Sequence, residues 1–418
     1  MKFEALDLAP EIMRAVKACG YSSLTPIQQK AIVAVRRGRD VLANAQTGTG
    51  KTAAFTLPVL QQMADRPAEV KPGAVRTLVL TPTRELAMQL TETISNYAQY
   101  LPFTVISAYG GSSLEGQAKK IQRGADILVA TPARLIEHIT ACNINLSQVE
   151  FLVLDEADRM LDMGFVKDVM NIRQKLTAKP QTLLFSATAS GMLNELSAKM
   201  LKNPVEIMVN RRNSTADTVE HVVYPVEESR KPELFAELLE KHNWFQVLVF
   251  TKTKAQADDL VQELKFDGIK AMVCHGDKSQ GSRRRAIEQF KDGKAQVLIA
   301  TEVAARGLDI EGLEYVVNYN LPFLAEDYVH RIGRAGRAGK KGYAISFVSR
   351  EEERSLLVIE KLIGSTIKRK FMRGYEVSDR DGLRKRIVKK KPAPRMNKST
   401  KERVAKKIQK TASRGKKK

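Results

Sequence analysis

Two short stretches carry residue types suited to handling phosphate. The first is Ala45-Gln46-Thr47-Gly48-Thr49-Gly50-Lys51-Thr52, which follows the apolar run Asp40–Ala45 and precedes a stretch of helical periodicity. That is the setting of a phosphate-binding loop. Its glycines let backbone N–H groups turn inward around phosphate oxygens, and the next helix adds the positive end of its dipole. Lys51 supplies a point charge for the outer phosphates, and the Thr52 hydroxyl is placed to ligate Mg2+. The general pattern opens with glycine, where this chain has Ala45.

The second stretch begins with the apolar run Phe151–Leu154 and ends in Asp155-Glu156-Ala157-Asp158. Carboxylates at the C-terminal end of a strand face the ligand crevice of an α/β sheet. Asp155 is placed to hold Mg2+, directly or through water. Glu156 is placed to orient and polarise an attacking water. Alone, such a tetrapeptide is more often a surface turn; paired with the upstream loop it reads as the other half of one phosphoryl-transfer site. A third group, Arg331, Arg334 and Arg337, recurs every three residues after His330. By itself it reads as a basic surface patch.

The elements that must position these groups are legible as apolar runs separated by polar turns. In the first half they are Asp40–Ala45, Thr77–Leu80, Val105–Tyr109, Ile127–Ala130, Phe151–Leu154 and Thr182–Phe185. In the second half they are Gln246–Phe250, Lys270–Cys274, Gln296–Ala300, Tyr315–Tyr319 and Tyr343–Val348. Runs apolar on both faces suit central strands of a parallel sheet. Helical periodicity falls between them at Glu85–Tyr97, Phe165–Leu176, Lys231–Lys241, Ala255–Leu264 and Gly281–Phe290. The alternation predicts an α/β fold with mostly parallel sheets. The polar NRRNSTAD segment, Asn210–Asp217, interrupts two such series and reads as a linker.

The chain has 418 residues, enough for two or three domains, and a net charge of +22. From Arg373 onward there are 19 Lys and Arg against 4 Asp and Glu, a net of +15, which leaves +7 for the rest. A basic tail of this kind usually meets polyanions, nucleic acid above all. It is expected to stay disordered alone, with Ser399–Thr411 able to form a basic helix when bound. Cys19, Cys142 and Cys274 are few, odd in number and far apart, so neither a disulfide framework nor a zinc site is expected, and all three are expected to be buried thiols. No signal peptide is expected in MKFEALDLAP, and no apolar run reaches the length of a membrane span. A cytoplasmic protein with no membrane partner is expected.

These motifs, in this order, resemble the DEAD-box RNA helicases, named for the tetrapeptide at Asp155–Asp158. The likeness runs from Phe3 to about Tyr375, and its finer look is that of the bacterial RhlE-like subgroup. It implies two tandem RecA-like domains, at 1–209 and 218–373, joined by a linker at 210–217 and followed by a basic tail at 374–418. ATP and RNA would bind in the cleft between the domains. The resemblance assigns adenine recognition to Phe3, Tyr21, Thr25 and Gln28; Gln28 offers a donor and an acceptor to the adenine edge, and Tyr21 a ring to stack on it. It assigns the phosphates to Gln46, Thr47, Gly48, Thr49, Gly50, Lys51 and Thr52, and the ribose to Asp309. RNA contacts fall on Pro82, Thr83, Arg84, Gly110, Gly111, Thr131, Pro132 and Arg134, and in the second domain on Gln280, Arg283 and Thr301. Ser186, Thr188 and His330 would couple ATP state to unwinding. Arg334 and Arg337 would reach the γ-phosphate as fingers, where a planar fork pairs two oxygens at once.

The chain departs from the family pattern at Leu24 for Pro, Glu302 for Asp, Ala335 for Thr, and Ala133 for Gly. Ala133 lacks glycine's freedom at positive φ, so that loop tolerates it only at negative φ. The implied activity is RNA-stimulated hydrolysis of ATP with Mg2+, coupled to opening of short duplexes or remodelling of ribonucleoprotein. Ribosomal precursors and the RNA-decay machinery are compatible partners. Two rivals are a DNA-directed helicase of the same superfamily and a non-catalytic RNA clamp or annealing scaffold. Lys51, Glu156 and Arg337 are all present, which speaks against the scaffold.

Overall fold

Val, Ile and Leu runs that are buried on both faces demand a cover of helices on each side, and the computed structural model supplies it twice. It describes residues 1–45, 48–209, 219–305, 310, 312–336 and 341–375. The first sheet comprises β1 Val41–Asn44, β2 Thr77–Leu80, β3 Val105–Ala108, β4 Ile127–Ala130, β5 Phe151–Leu154, β6 Gln181–Ser186 and β7 Val205–Met208, in the order β3-β4-β2-β5-β6-β1-β7. The second comprises β8 Val219–Pro225, β9 Val247–Thr251, β10 Ala271–Cys274, β11 Val297–Thr301, β12 Tyr315–Asn318, β13 Gly342–Val348 and β14 Lys368–Arg369, in the order β10-β11-β9-β12-β13-β8-β14. Counted from its own first strand, each sheet runs 3-4-2-5-6-1-7. Every strand pair in both ladders is parallel.

The first sheet separates two apolar layers. Val41 and Ala43 pack with Ile27, Phe55 and Phe185 on one face, and Leu78, Leu152 and Leu154 pack with Met160 and Leu196 on the other. The second sheet is covered in the same way. The predicted α/β class with parallel sheets therefore holds. Three strands lay beyond the sequence reading. β7 is an edge strand in which only Ile207 is buried, β8 carries Glu220 and His221, and β14 is two residues long. None offers the continuous apolar run that marks a central strand.

The strand order divides the C-terminal edge of the first sheet into two districts. The loops after β2, β3 and β4 stand side by side, and so do those after β5, β6 and β1. Lobe one therefore presents the Pro82–Arg84, Gly110–Gly111 and Thr131–Arg134 segments together, and the Lys51, Asp155 and Ser186 segments together. Asp40 steadies the opposite edge, accepting from the Thr182 N–H at 2.9 Å and the Lys202 N–H at 2.7 Å.

Of the three thiols only Cys274 is buried; Cys142 is exposed and Cys19 half-buried. Cys142 follows a helix end in the left-handed conformation, at φ +54, which turns its side chain out of the packing layer. The basic tail, the linker segment, Gln46, Thr47, Asp309 and Arg337 lie outside the described residues.

In lobe two the first α-helix, Lys231–Lys241, begins with a fully buried lysine. Its ammonium pairs with Glu228 at 2.6 Å and with Glu352 at 2.7 Å. Glu352 also accepts from the Ser349 and Leu321 N–H groups. Removing the cation strands these carboxylates, so Lys231→Ala is expected to cost about 3 kcal/mol, the low end for a broken buried pair because Glu228 is half exposed. Urea denaturation followed by fluorescence of Trp244, which packs in this lobe, measures it.

Candidate nucleotide and RNA site

The phosphate district is built from three adjacent strand ends. Ala45 N–H donates to Ser186 O at 2.9 Å, tying the ends of β1 and β6, and Asp155 N–H donates to Leu80 O at 3.0 Å, tying the end of β5 to that of β2. Gly50, at φ +86, begins the helix Lys51–Asp65, and a Cβ there would collide with the Gln28 amide. Gln28 donates from Nε2 to Gly50 O at 3.1 Å and accepts from Thr25 N–H at 2.9 Å, closing a capping box. The amide that the sequence assigns to adenine is thus engaged at both ends within the lobe, and reading a base requires it to exchange those partners. Tyr21 is 40% exposed, with its ring stacked on the buried Phe3 and its hydroxyl 3.0 Å from that of Tyr97. Phe3 backs the exposed ring rather than facing solvent itself.

Lys51 is the anomaly of this district. Its side chain is 7% exposed, and its ammonium has no hydrogen-bond partner among the described residues. A buried ammonium without a partner is costly, and a triphosphate is the ligand that would satisfy it. Asp155 is 4% exposed. Burial pushes its carboxyl up to about 6; the Lys51 charge opposes that shift and the Glu156 carboxylate adds to it. Glu156 sits in the left-handed region at φ +54, and its N–H donates to Asp155 Oδ1 at 3.1 Å. A non-glycine residue held there stores strain of order 1–3 kcal/mol. The turn leaves Glu156 as the one partly exposed side chain of the tetrapeptide.

The donor set fits Mg2+. Among the described residues no three His, Cys, Asp or Glu side chains gather to hold a metal. Mg2+ is commonly held by one or two carboxylates together with substrate phosphates, and the hard oxygens of Thr52 and Asp155 can take that part.

Asp158 was left without a role by sequence reasoning, and the structure gives it one. Its Oδ2 accepts from Thr188 N–H at 3.0 Å, Thr188 Oγ1 at 2.9 Å and Ala187 N–H at 3.2 Å. Ser186 Oγ donates to Thr188 O at 2.7 Å. The Ser186–Thr188 turn is therefore carried on Asp158. The next residue, Arg159, leaves the lobe: its guanidinium is buried and pairs with Asp327 across the cleft, and with Asp162. Burial works against that charge, but Asp327, Asp158 and Glu302 outweigh it and hold the arginine above its ordinary value.

On the RNA district, Arg84 lies against Gly111, which is at φ +84 and where a Cβ would strike the guanidinium. Thr83 caps the helix Arg84–Ala98, accepting from Leu86 N–H. Pro132 begins the helix Pro132–Thr140, so Ala133 is helical, at negative φ, with its methyl exposed; the condition for tolerating it is met. These segments line a cavity of about 260 Å³ that includes Thr83, Arg84, Gly110, Thr131, Arg134 and, from lobe two, Arg283.

Arg283 is buried and paired with Glu85 of lobe one at 2.7 Å, so its charge bridges the lobes. Gln280 reaches across as well, 3.8 Å from the Met88 sulfur. Thr301 ends β11 and is nearly buried. Of the arginine series, Arg331 is structural: it pairs with Glu302 at 2.5 Å and donates to Asn318 Oδ1 and Asn320 O. The extra methylene of Glu302 over Asp provides that reach. Arg334 is half-buried, with its carbonyl accepting from Leu313 N–H. His330 has a buried Nδ1 with no partner among the described residues. Ala335 is fully buried, where a methyl fits the packing.

A raised Asp155 has a consequence for stability. Its folded value is about 6 against 3.8 for an ordinary carboxyl, so the fold holds the proton more tightly than the unfolded chain. That contribution is fully present below 3.8 and is lost as pH rises to about 6. Asp155→Asn is expected to flatten the fall in stability across this window, and denaturation of the nucleotide-free protein at about pH 4, 5 and 7 checks it.

Residues 25–196 match the DEAD/DEAH box helicase family and residues 230–339 the helicase conserved C-terminal domain. The chain is 42% identical over 365 residues to the DEAD-box ATP-dependent RNA helicase RhpA of Helicobacter pylori, spanning 87% of this chain and 73% of that one. It is 39% identical over 397 residues to the ATP-dependent RNA helicase SrmB of Haemophilus influenzae, spanning 94% and 90%. Among solved structures it resembles Dbp5 of S. cerevisiae bound to RNA and ADP BeF3, with a TM-score of 0.77, 31% identity, and coverage of 88% and 95%. These likenesses carry the family without singling out an RhlE-like subgroup. A chain with this nucleotide district, this second lobe and these relatives belongs to the DEAD-box family of ATP-dependent RNA helicases.

Proposed function

We propose that the chain is an RNA-dependent ATPase that clamps single-stranded RNA and thereby opens short duplexes or remodels ribonucleoprotein. The observation that carries this reading is the buried Lys51 ammonium, without a hydrogen-bond partner among the described residues, beside the Asp155–Glu156 turn with Glu156 at φ +54. The first RecA-like domain is taken as 1–209, the linker as 210–217, the second domain as 218–373 and the basic tail as 374–418.

In this reading Lys51, the Gln46–Gly50 loop and Thr52 bind the triphosphate, Gln28 and Tyr21 select adenine, and Asp309 meets the ribose. Thr52 and Asp155 would hold Mg2+, which when bound neutralises charge developing on the phosphates. Glu156 orients a water for attack and takes its proton. Arg334 and Arg337 stabilise the transferring phosphoryl group once the lobes are together, a contribution worth roughly 10³–10⁵ in rate for such fingers. RNA is bound by its backbone along the Arg84, Gly110–Gly111 and Arg134 district and along lobe two, so binding is largely indifferent to sequence. ATP and RNA each favour the closed arrangement, so each tightens the other.

No helix among the described residues is long and apolar enough to cross a membrane. A cytoplasmic location, with ribosomal precursors or RNA-decay assemblies as the larger substrates, accords with the reading.

Glu156→Gln keeps the shape of the turn and removes the base. It is expected to bind ATP and RNA near normally while RNA-stimulated phosphate release falls by roughly 10²–10⁴-fold. Unchanged release would overturn the assignment of the base. Lys51→Ala is expected to lose nucleotide binding as well, which separates the two roles.

A further inference from the structure

Helix Leu114–Gln122 carries none of the motifs that mark the site, yet it buries Gln117 behind the RNA district, at 7% exposure. A carboxamide has two N–H donors and an oxygen with two lone pairs, and Gln117 uses all four. Its Nε2 donates to Tyr109 O at 3.0 Å and to Ser112 Oγ at 2.5 Å. Its Oε1 lies 3.1 Å from Arg134 Nη1 and 3.1 Å from His138 Nε2. Arg134 Nη1 also donates to Ser112 O at 2.9 Å.

The orientation of this network follows from one member. Arginine only donates, so the amide atom facing Arg134 is the oxygen. His138 Nε2, facing the same oxygen, then carries its hydrogen, and His138 Nδ1 is left to accept from Asn143 Nδ2 at 3.4 Å. His138 is fully buried, which with the neighbouring Arg134 charge favours the neutral ring that this arrangement requires. Every polar atom of the Gln117 amide is thereby satisfied. It joins the turn that holds Gly110 and Gly111 to the helix that holds Arg134. Gly110 and Arg134 line the RNA cavity, whereas Gln117 does not.

We propose that Gln117 is a positioning residue for RNA binding: it fixes the spacing of the Gly110–Gly111 turn and the Arg134 guanidinium, and makes no contact with RNA itself. The proposal rests on reading that cavity as an RNA-backbone site. Leucine at this position fills similar volume but leaves His138 Nε2 without its acceptor and Tyr109 O with Ser112 Oγ alone, at 3.3 Å. Glutamate keeps the acceptor for Arg134 and His138 and loses both donors to the turn.

The test uses the full chain and a single-stranded oligoribonucleotide. Gln117→Leu is expected to raise the RNA concentration for half-maximal ATPase about tenfold, the worth of a hydrogen bond to a charged group. The effect on kcat at saturating RNA and on KM for ATP should be much smaller. The salt slope of RNA affinity should flatten by about 0.7, the loss of one phosphate contact. Gln117→Glu, which keeps Arg134 in place, should show a smaller loss and an unaltered slope. In an Arg134→Ala background, Gln117→Leu should cost much less than it does alone. Full additivity of the two changes, or an unaltered RNA requirement in both Gln117 variants, overturns the proposal. If Arg134→Ala leaves RNA affinity unchanged, the reading of the cavity fails first and the proposal with it.

Discussion

A buried ammonium without a hydrogen-bond partner is expensive in a folded protein, and among the described residues Lys51 has none. The architecture around it can be understood as the means of keeping it so. Three parallel strands, β5, β6 and β1, lie side by side and end together, so the loop that holds Lys51 is bonded to the end of β6 and faces the acidic turn after β5. Asp155 stands near enough to feel the charge without forming an ion pair with it, and its own burial raises its carboxyl to about 6. Neither group satisfies the other. The site is held open, electrostatically, for a polyanion and whatever cation accompanies it.

The six-residue helix Ala157–Asp162 and the residue before it form a joint between chemistry and movement. Glu156 points to the nucleotide district. Asp158 carries the Ser186–Thr188 turn. Arg159 enters lobe two and meets Asp327. Near-consecutive side chains thus stand partly exposed, bond the turn after the neighbouring strand, and meet the other lobe. The second cross-lobe bridge, Glu85 with Arg283, springs from the helix that begins at Arg84, so the RNA district has a joint of its own. Two ion pairs, one beside each district, thus join the same two lobes.

The parts of this site that a sequence discloses are those in which a ligand dictates local spacing. Phosphate oxygens require glycines, a lysine and a hydroxyl in a short run, and a carboxylate at a strand end is recognisable for the same reason. The central strands were legible because burial on both faces leaves little but Val, Ile and Leu. What was not legible depends on partners far apart in the chain. Arg159 and Asp327 lie 168 residues apart, and neither has a local pattern that announces the other. Arg283 was assigned to RNA by family likeness, which carries no sign of its pairing with Glu85. Gln28 looked like a free amide because Gly50 O was not yet above it. Edge strands such as β7, with one buried residue in four, fall below any periodicity threshold.

The two lobes repeat one strand order, and the comparison reaches down to single residues. Lys51 opens the helix that follows the first strand of the first sheet; Lys231 opens the helix that follows the short turn after the first strand of the second. Both ammonium groups are buried. In lobe two the charge is already neutralised, by Glu228 and Glu352, and the place that would hold a phosphate is filled from within the protein. The fold repeats the position of the lysine, and in lobe two internal carboxylates take its charge. The same position in the strand order thus serves a different end in each lobe: in lobe two the lysine ties its helix to Glu228 and Glu352.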